Sequence, residues 1–99
     1  MNTSFNPPVN TIAVLPFANR SASEDIEYFS DGITEGIINA LAKIEGLKVT
    51  SRISSFYFKG KYIPSPEIGK ILGVSTILEG SVQLSGESIR ITAQLIDAA

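Results

Sequence analysis

Short apolar runs alternate with polar stretches along this chain, and the spacing of the apolar positions predicts its strands and helices. The first run, TIAVLPF at 11–17, is almost entirely apolar and rich in branched residues. A run of this length and composition is typical of a strand that is covered on both faces. Pro16 belongs near its end, where the sheet can spare an N–H donor.

A long amphipathic helix is predicted to follow a polar loop. Ser21 begins an S-x-x-E capping box, and Ser23 is a competing N-cap. Gly32 and Gly36 each weaken a helix by about 1 kcal/mol relative to alanine. We therefore expect close packing against the sheet at these glycines, with an interface or ligand face as the alternative. Steps of three and four residues give the helix one apolar stripe, which consists of Ile26, Phe29, Ile33, Ile37, Leu41 and Ile44.

The middle of the chain is less regular. LKVTSRI at 47–53 alternates apolar and polar residues, which predicts a strand near a sheet edge. SSFYFKG at 54–60 fits either a helical turn capped by Ser54 or a continued strand. SPEIGKILG at 65–73 predicts a short helix with Ser65 as its N-cap, a proline in its first turn and a glycine at its end. Its buried face is expected to consist of Ile68, Ile71 and Leu72.

Strict alternation near the end of the chain predicts a hairpin of two strands, 74–86 and 88–96, joined by a tight turn at SGES. Each strand then requires cover on one side only. The residues expected to share the apolar faces are Val74, Thr76, Leu78, Gly80, Val82 and Leu84 in the first strand, and Ile89, Ile91, Ala93 and Leu95 in the second.

These elements predict an α/β fold, a two-layer sandwich with a mixed sheet of about four strands. Connections through helices make parallel neighbours, and the final hairpin adds an antiparallel edge. The order along the chain is β-α-β-α-β-β, and the spatial strand order is 2-1-3-4 with the helices on one face. Residues 1–10 are expected to form a linker, and 11–99 a single domain. Because the chain stops inside or just after a strand, we expect the domain to be truncated there.

Composition narrows the function classes. The 99 residues are 43% hydrophobic and 18% charged, as in a globular domain, and the net charge of −2 disfavours a duplex nucleic-acid binder. The chain has no Cys and no His, which excludes thiolate and imidazole chemistry and Ser-His-Asp catalysis. We therefore expect no catalytic residue, no metal site and no cofactor. No apolar run reaches the roughly 20 residues that span a bilayer, and the lack of cysteine fits cytoplasm or periplasm equally.

Two groups of residues resemble catalytic motifs only superficially. The pairs Gly60-Lys61 and Gly69-Lys70 lack the spacing and the hydroxyl of a phosphate loop, so Gly69 is better explained as a helix–sheet packing glycine. Asp31 and Glu35 lie one helical turn apart, but a hard cation requires about six oxygens. Catalysis by carboxylates alone would require both to converge with Glu79, which the predicted topology places away from the helices.

The stretch SRISSFYFKGKYIP at 51–64 interleaves aromatic rings with cations, as a single-stranded nucleic-acid platform would. It departs from the RNA-recognition signature, however. Phe56 and Phe58, with Ile53, can instead cover an edge of the core. A docking surface for a protein or small ligand is the second interpretation, and nucleic acid the third. The candidate binding residues on this surface are Arg52, Tyr57, Lys59, Lys61 and Tyr62.

The chain resembles a known bacterial module. The matching pieces are AVLPF, YFSDGITEGIINAL, SSFYFKGK, LGV, LEGSV and RITAQLIDA, in this order from about Thr11 to the end. The module is described as similar to the amino-terminal domain of TolB and to the FlgO family. Two positions depart from its usual pattern: Gly36 stands where members carry an acidic residue, and Pro64 or Ser65 where they carry an acidic or polar one.

The resemblance implies an anticodon-binding-like α/β sandwich and a further strand near a TGxxLW motif. It also implies neighbours in a longer bacterial protein: tetratricopeptide repeats and an adenylate or guanylate cyclase, winged-helix regulator or kinase domain. No catalytic residue is implied. The expected function is thus a non-enzymatic regulatory or protein-interaction module, whose partners are the neighbouring repeats or output domain, or a second copy at an open sheet edge. Single-stranded nucleic-acid or small-ligand binding is the alternative.

Overall fold

The computed structural model describes residues 7–98, which form a sheet with helices packed against it. The predicted α/β class is confirmed. The strands are β1 (Thr11–Val14), β2 (Ala18–Asn19), β3 (Lys48–Val49), β4 (Thr76–Ser85) and β5 (Ser88–Asp97), and the helices are α1 (Glu24–Ala42), α2 (Arg52–Phe56) and α3 (Ser65–Leu72). Residues 1–6 of the predicted linker lie outside this range. Pro8, from its remainder, accepts a hydrogen bond from the Thr11 hydroxyl at 2.5 Å.

The sheet is mixed, and its strand order is the one predicted. β1 lies between β3 and β4 and is parallel to both, while β5 pairs antiparallel with β4 along its whole length. Numbered by the four predicted strands, this is 2-1-3-4. All four residues of β1 are buried, as expected for a central strand that is covered on both faces.

A break at Pro16 divides the first predicted strand in two. β1 ends at Val14, and the short β2 continues beside the same edge of β4, where Ala18 pairs with Ser81. Since Pro16 has no N–H, the ladder cannot run through it. The amide of Phe17, the next residue, donates instead to the Thr34 hydroxyl of α1 at 2.9 Å. The break leaves an opening in the sheet surface beyond the end of β1.

The two main helices lie on opposite faces of the sheet, which corrects the prediction that all helices share one face. Val14 and Val82 pack with Ile26 and Ile38 of α1. Alternate residues of the same strands, Ala13 and Ile77, pack with Ile68 of α3. The physical reason is handedness. The connection from β1 to β3 and the connection from β3 to β4 run in opposite directions across the sheet, so two right-handed crossovers must use opposite faces.

Small polar side chains, and not the glycines, allow α1 to approach the sheet. Ser23 caps the helix, so the alternative cap at Ser21 is not used. Ser30 and Thr34 are fully buried, and their hydroxyls donate to backbone carbonyls one turn earlier. Gly32 and Gly36 are exposed, and a Cβ at either position would meet no atom within 4 Å. The predicted close packing at these two glycines is therefore wrong.

The segment after α1 differs from the predicted long strand. Only Lys48–Val49 pairs in the sheet, because Ser51 caps α2 by accepting from the Ser54 amide at 3.3 Å. Helix α3 follows, with Pro64 as its N-cap and a left-handed Gly73 at its end. Ile68 is buried as predicted, whereas Ile71 is 64% exposed because it lies on the outer side of α3.

The packing role expected for Gly69 is confirmed, since a Cβ there would lie 2.5 Å from the Cβ of Ala98.

Within residues 7–98, no helix has the length and apolar character needed to cross a membrane.

Candidate functional site

The predicted binding surface forms where the chain leaves β3 and returns as α3. Helix α2 makes little more than one turn and ends at Phe56, with Tyr57 as its C-cap, and the following residues run to α3 without regular structure. Phe58 is 5% exposed and belongs to the core beneath α3. Ile53, which was expected to cover the core with it, is 82% exposed, because the short helix turns that side chain outward.

Two of the predicted cations are held by carboxylates of α1. The Arg52 Nε lies 3.1 Å from Glu35, and its guanidinium also stacks over the Phe56 ring. The Lys59 Nζ lies 2.6 Å from Glu27 and 2.7 Å from Asp31. Lys59 therefore connects the segment before α3 to the exposed side of α1.

The electrostatics of this connection shift two pKa values. Partial burial by itself would lower the pKa of Lys59, but the hydrogen bonds to Asp31 and Glu27 outweigh it, and the pKa is raised. The pKa of Glu27 is lowered by its hydrogen bonds from Lys59 and Asn19. Both shifts favour the charged forms, so the ion pair stabilises the fold near neutral pH.

The remaining predicted residues lie on the outer surface. Tyr57 is 65% exposed and packs edge-to-face on Phe58, while the Lys61 ammonium lies 4.2 Å from the centre of the Tyr57 ring. Tyr62 is fully exposed. Both tyrosines thus face outward. Because its three cations bind groups of the chain itself, this surface offers little free positive charge for phosphate.

A cleft of about 700 Å³ opens beside this surface, beyond the carboxyl end of β1. One wall is the segment 15–20 around the Pro16 break, and the opposite wall is 58–63 together with the start of α3. The floor is the part of β4 and β5, on the α3 side of the sheet, that α3 itself leaves uncovered. Such crevices beyond the ends of parallel strands are where α/β sheets commonly bind ligands. Lys59, Lys61 and Tyr62 line this cleft; Arg52 and Tyr57 do not.

The floor of the cleft is polar because of strand alternation. Glu79 pairs with Gln94 across the two strands, and Ser81 pairs with Thr92. The Ser81 and Thr92 hydroxyls are hydrogen-bonded to each other at 2.6 Å. Ser65, in the first turn of α3, donates its hydroxyl to a Glu79 carboxylate oxygen at 3.1 Å. Hydroxyl, amide and carboxylate groups therefore face the cleft together.

The carboxylates considered as a catalytic or metal-binding group are not brought together. Asp31 and Glu35 lie on α1 and bind Lys59 and Arg52. Glu79 lies on the other face of the sheet, under the first turn of α3. Among residues 7–98, the structure contains no group of three or more His, Cys, Asp or Glu side chains that could hold a metal ion.

The other face of the same hairpin carries an apolar stripe, which we define as Leu84, Ile89, Ile91 and Leu95. These side chains are 45%, 45%, 49% and 67% exposed. The prediction that this face of β5 packs into the core is therefore wrong. Helix α1 covers Leu78 and Val82, which belong to β4, whereas no described residue of β5 joins the core beneath α1. Within the described chain, β5 is also an edge strand whose outer backbone groups pair with no strand.

Sequence reasoning identified the aromatic surface but not the cleft or the exposed stripe. The alternation assigned the paired residues of β4 and β5 to the correct faces. Val74, which was grouped with Leu78 and Val82, packs instead with Ile68 and Ile77 on the α3 side. What was missing was the position of α3, because its face depends on the direction of a crossover and not on any local pattern. Once α3 is known to cross the face of the sheet that carries Glu79, the hydrogen bond from Ser65 to Glu79 follows from their positions.

Comparison with known proteins gives one similar sequence and one similar fold. The chain is 50% identical over 91 residues to a protein of Rhizobium meliloti (strain 1021) named "Putative adenylate cyclase 3". The match covers 92% of this chain but 16% of that protein, so the chain corresponds to a small part of this relative. No protein-family model matches, and the resemblance to the TolB and FlgO modules stays a prediction.

The similar structure is the crystal structure of lipoprotein GNA1162 from Neisseria meningitidis, with a TM-score of 0.65 and 19% sequence identity. The alignment covers 90% of this chain and 70% of that one. At this level of identity the likeness supports the α/β fold and nothing about activity.

Proposed function

We propose that this chain is a non-enzymatic regulatory module of a longer signalling protein, in which it contacts a neighbouring domain. Its similarity to a small part of a protein named as an adenylate cyclase supports an association with cyclases. The partner would be the output domain or adjoining tetratricopeptide repeats of the same protein. The lack of His and Cys, together with carboxylates that do not converge, supports action by binding and not by catalysis.

The exposed apolar face of β5 is the observation that carries this proposal. Four large aliphatic side chains lie in register across two strands, next to an unpaired strand edge. Contiguous apolar surface rimmed by polar residues is typical of protein interfaces. An open edge can also accept a strand from a partner through main-chain hydrogen bonds. A second copy of the chain could use the same edge, and its solution mass would reveal that.

A nucleic-acid role has less support. The three cations of the predicted surface bind carboxylates or a ring within the domain, and the net charge is −2. Single-stranded oligonucleotides titrated at low salt should therefore give no binding. Saturable binding that weakens as salt rises would instead favour that alternative.

The test uses the Rhizobium meliloti relative as host. Its matching segment is deleted, or replaced by this chain, and cyclic AMP formed from ATP is measured. Regulatory coupling between domains is commonly 5- to 150-fold, so we expect deletion to change the rate at least about 5-fold and replacement to restore it. The isolated chain should form no cyclic AMP; measurable turnover would contradict a non-enzymatic role.

A pair of variants tests the surface itself. Replacement by the chain carrying Ile91→Thr and Leu95→Thr should fail to restore the rate. The matched control, Gln83→Ser with Arg90→Ser, changes the opposite face of the same strands and should restore it. A deletion without effect, or equal behaviour of the two double variants, would rule out the proposed interface.

A further inference from the structure

The cleft beyond β1 contains a carboxylate that no cation of the domain neutralises. Glu79 is partly buried on the cleft floor and receives one hydrogen bond, from Ser65. Among residues 7–98, no lysine or arginine nitrogen lies within ion-pair distance of it. A carboxylate that is partly removed from water gains from a positive partner, because its own hydration is reduced.

Among the described residues, three cations line the cleft, and none of them pairs with Glu79. Arg20 lies on the wall formed by 15–20, beyond ion-pair distance of Glu79, and the two lysines of the opposite wall are already engaged. The ammonium group of Lys59 is bound by Glu27 and Asp31, and that of Lys61 lies over the Tyr57 ring. Both side chains therefore contribute their stems to the wall while their charges are held by other groups. Glu79 is left as the acidic group of the cleft without a cation.

The surroundings of Glu79 suit an organic cation more than a metal ion. On the floor beside it, Gln94 and the hydrogen-bonded pair of Ser81 and Thr92 supply neutral donors and acceptors. The two walls offer hydrocarbon, from Leu15 on one side and from Ile63 and Ile68 on the other. A hard metal ion would require about six oxygens and usually more than one carboxylate, and no metal-type cluster occurs among residues 7–98.

We propose that this cleft binds a small molecule carrying a primary ammonium group on a short hydrocarbon chain. The ammonium group pairs with the Glu79 carboxylate and donates to the neutral oxygens of the floor, and the hydrocarbon lies against the wall formed by 58–63 and α3. A charge-assisted hydrogen bond of this kind is roughly twice as strong as a neutral one. The volume of about 700 Å³ accommodates a ligand larger than the minimal group described here.

The test compares three four-carbon probes of similar size whose polar groups are cationic, neutral and anionic: n-butylammonium, 1-butanol and butyrate. Backbone amide NMR spectra of the chain are recorded as each is added. We expect n-butylammonium to shift the amides of 79–81 and 92–94 with a dissociation constant in the millimolar range, as is usual for so small a ligand. Butanol should shift the same amides more weakly, and butyrate should not shift them.

Two matched variants locate the charge. Glu79→Gln keeps the shape of the side chain and should weaken n-butylammonium binding by about tenfold. Glu87→Gln removes a carboxylate in the hairpin turn, outside the cleft, and should leave binding unchanged. Before titration, each variant is shown to be folded by amide chemical shifts that match those of the wild-type chain at positions away from the substitution.

Three results would overturn the proposal. Equal affinity for all three probes would indicate a non-selective apolar surface, and equal weakening by both variants would indicate a diffuse charge effect. Shifts of the same amides by Mg²⁺ or Ca²⁺ at lower concentrations than by n-butylammonium would identify a metal site instead. The proposed regulatory function is tested on the opposite face of the hairpin, so either proposal can fail without the other.

Discussion

The two faces of the β4–β5 hairpin share one backbone and differ in everything that touches them. On one face the cross-strand pairs are Leu78–Leu95, Gly80–Ala93, Val82–Ile91 and Leu84–Ile89, and on the other they include Glu79–Gln94, Ser81–Thr92 and Gln83–Arg90. The first face extends the core beneath α1 and ends in exposed aliphatic side chains. The second forms the floor of a polar cleft. One strict alternation thus gives the hairpin an apolar face, where we propose a protein contact, and a polar face, where we propose a ligand.

The difference also shows that apolar character does not by itself decide burial. Val82 and Ile91 are paired neighbours on the same face, yet Val82 is fully buried and Ile91 is 49% exposed. Helix α1 reaches the first strand and not the second. The cover of each residue therefore depends on where a helix crosses the sheet, and β5 lies beyond that helix.

The largest expected effect concerns Gly80, where the apolar face is packed most closely. A Cβ at Gly80 would contact the Thr92 carbonyl oxygen and lie 2.6 Å from the Phe17 ring. We expect Gly80→Ala to destabilise the domain by about 3 kcal/mol, since overpacked cores cannot relax freely. Gly36→Ala, on the exposed side of α1, should instead stabilise it by about 1 kcal/mol. Urea unfolding of both variants measures the difference, and equal effects would contradict this packing.

The next effect compares two threonines, one beneath α1 and one in the cleft. Thr34 accepts the hydrogen bond of the Phe17 amide in the core, whereas Thr92 binds Ser81 on an exposed surface. Thr34→Val leaves a buried N–H unsatisfied, so we expect a loss of about 2 kcal/mol of unfolding free energy. Thr92→Val should change it by less than about 0.5 kcal/mol. A Thr34→Val protein as stable as the Thr92→Val protein would show that this hydrogen bond contributes little.

A smaller effect is expected from the ion pair that closes the cleft wall against α1. Because the folded-state pKa of Glu27 lies below its ordinary value of 4.5, its contribution is present above that pH and is lost as the pH falls through the folded-state value. The raised pKa of Lys59 gives a second loss as the pH rises beyond the ordinary 10.5. Both side chains are more than a third exposed, so we expect less than about 1 kcal/mol.

The measurement is thermal unfolding of the wild-type chain and the Glu27→Gln variant between about pH 6 and about pH 3. The wild-type protein should lose more stability over this range than the variant. Glu24→Gln, which changes another carboxylate in the first turn of α1, should follow the wild-type curve. Parallel curves for the wild type and Glu27→Gln would show that the ion pair of Glu27 with Lys59 does not stabilise the fold.

The smallest effect concerns Ser55 in α2, behind the aromatic surface. Its buried hydroxyl has no hydrogen-bond partner among the described residues. Ser55→Ala should therefore stabilise the domain, or leave it unchanged, within about 1 kcal/mol. Ser54→Ala, at a partly exposed neighbouring position, serves as the control. A clear destabilisation by Ser55→Ala alone would show that the hydroxyl has a partner.

Much of this fold was predictable because local patterns specify it. The helical spacing of α1, the alternation of the hairpin and the Gly73 terminus of α3 each follow from periodicity or backbone preference. Within the predicted stripe of α1, however, Phe29 and Ile44 are 42% and 51% exposed. The candidate site was less predictable. The cleft exists because Pro16 interrupts the first strand and α3 crosses the face opposite to α1. Pro16 can be read from the sequence, but the face that α3 crosses depends on the direction of the crossover and not on a local pattern.

Errors at Gly32, Ile53 and Ile71 share one cause. Each residue was assigned to a packed surface from its type and spacing, but the position of a helix relative to the sheet decides which side of it is buried. Ser30 and Thr34 show the converse, since two polar residues occupy the most buried positions of α1. Their hydroxyls return hydrogen bonds to the helix, which makes such burial tolerable.

Side-chain NMR of the hairpin, with n-butylammonium as the added ligand, tests most directly the claim that its two faces act separately. If this claim holds, the Thr92 methyl group and the Gln94 side-chain amide shift, while the Ile91 and Leu95 methyl groups stay unchanged. Shifts confined to Ile91 and Leu95, or equal shifts on both faces, would contradict it.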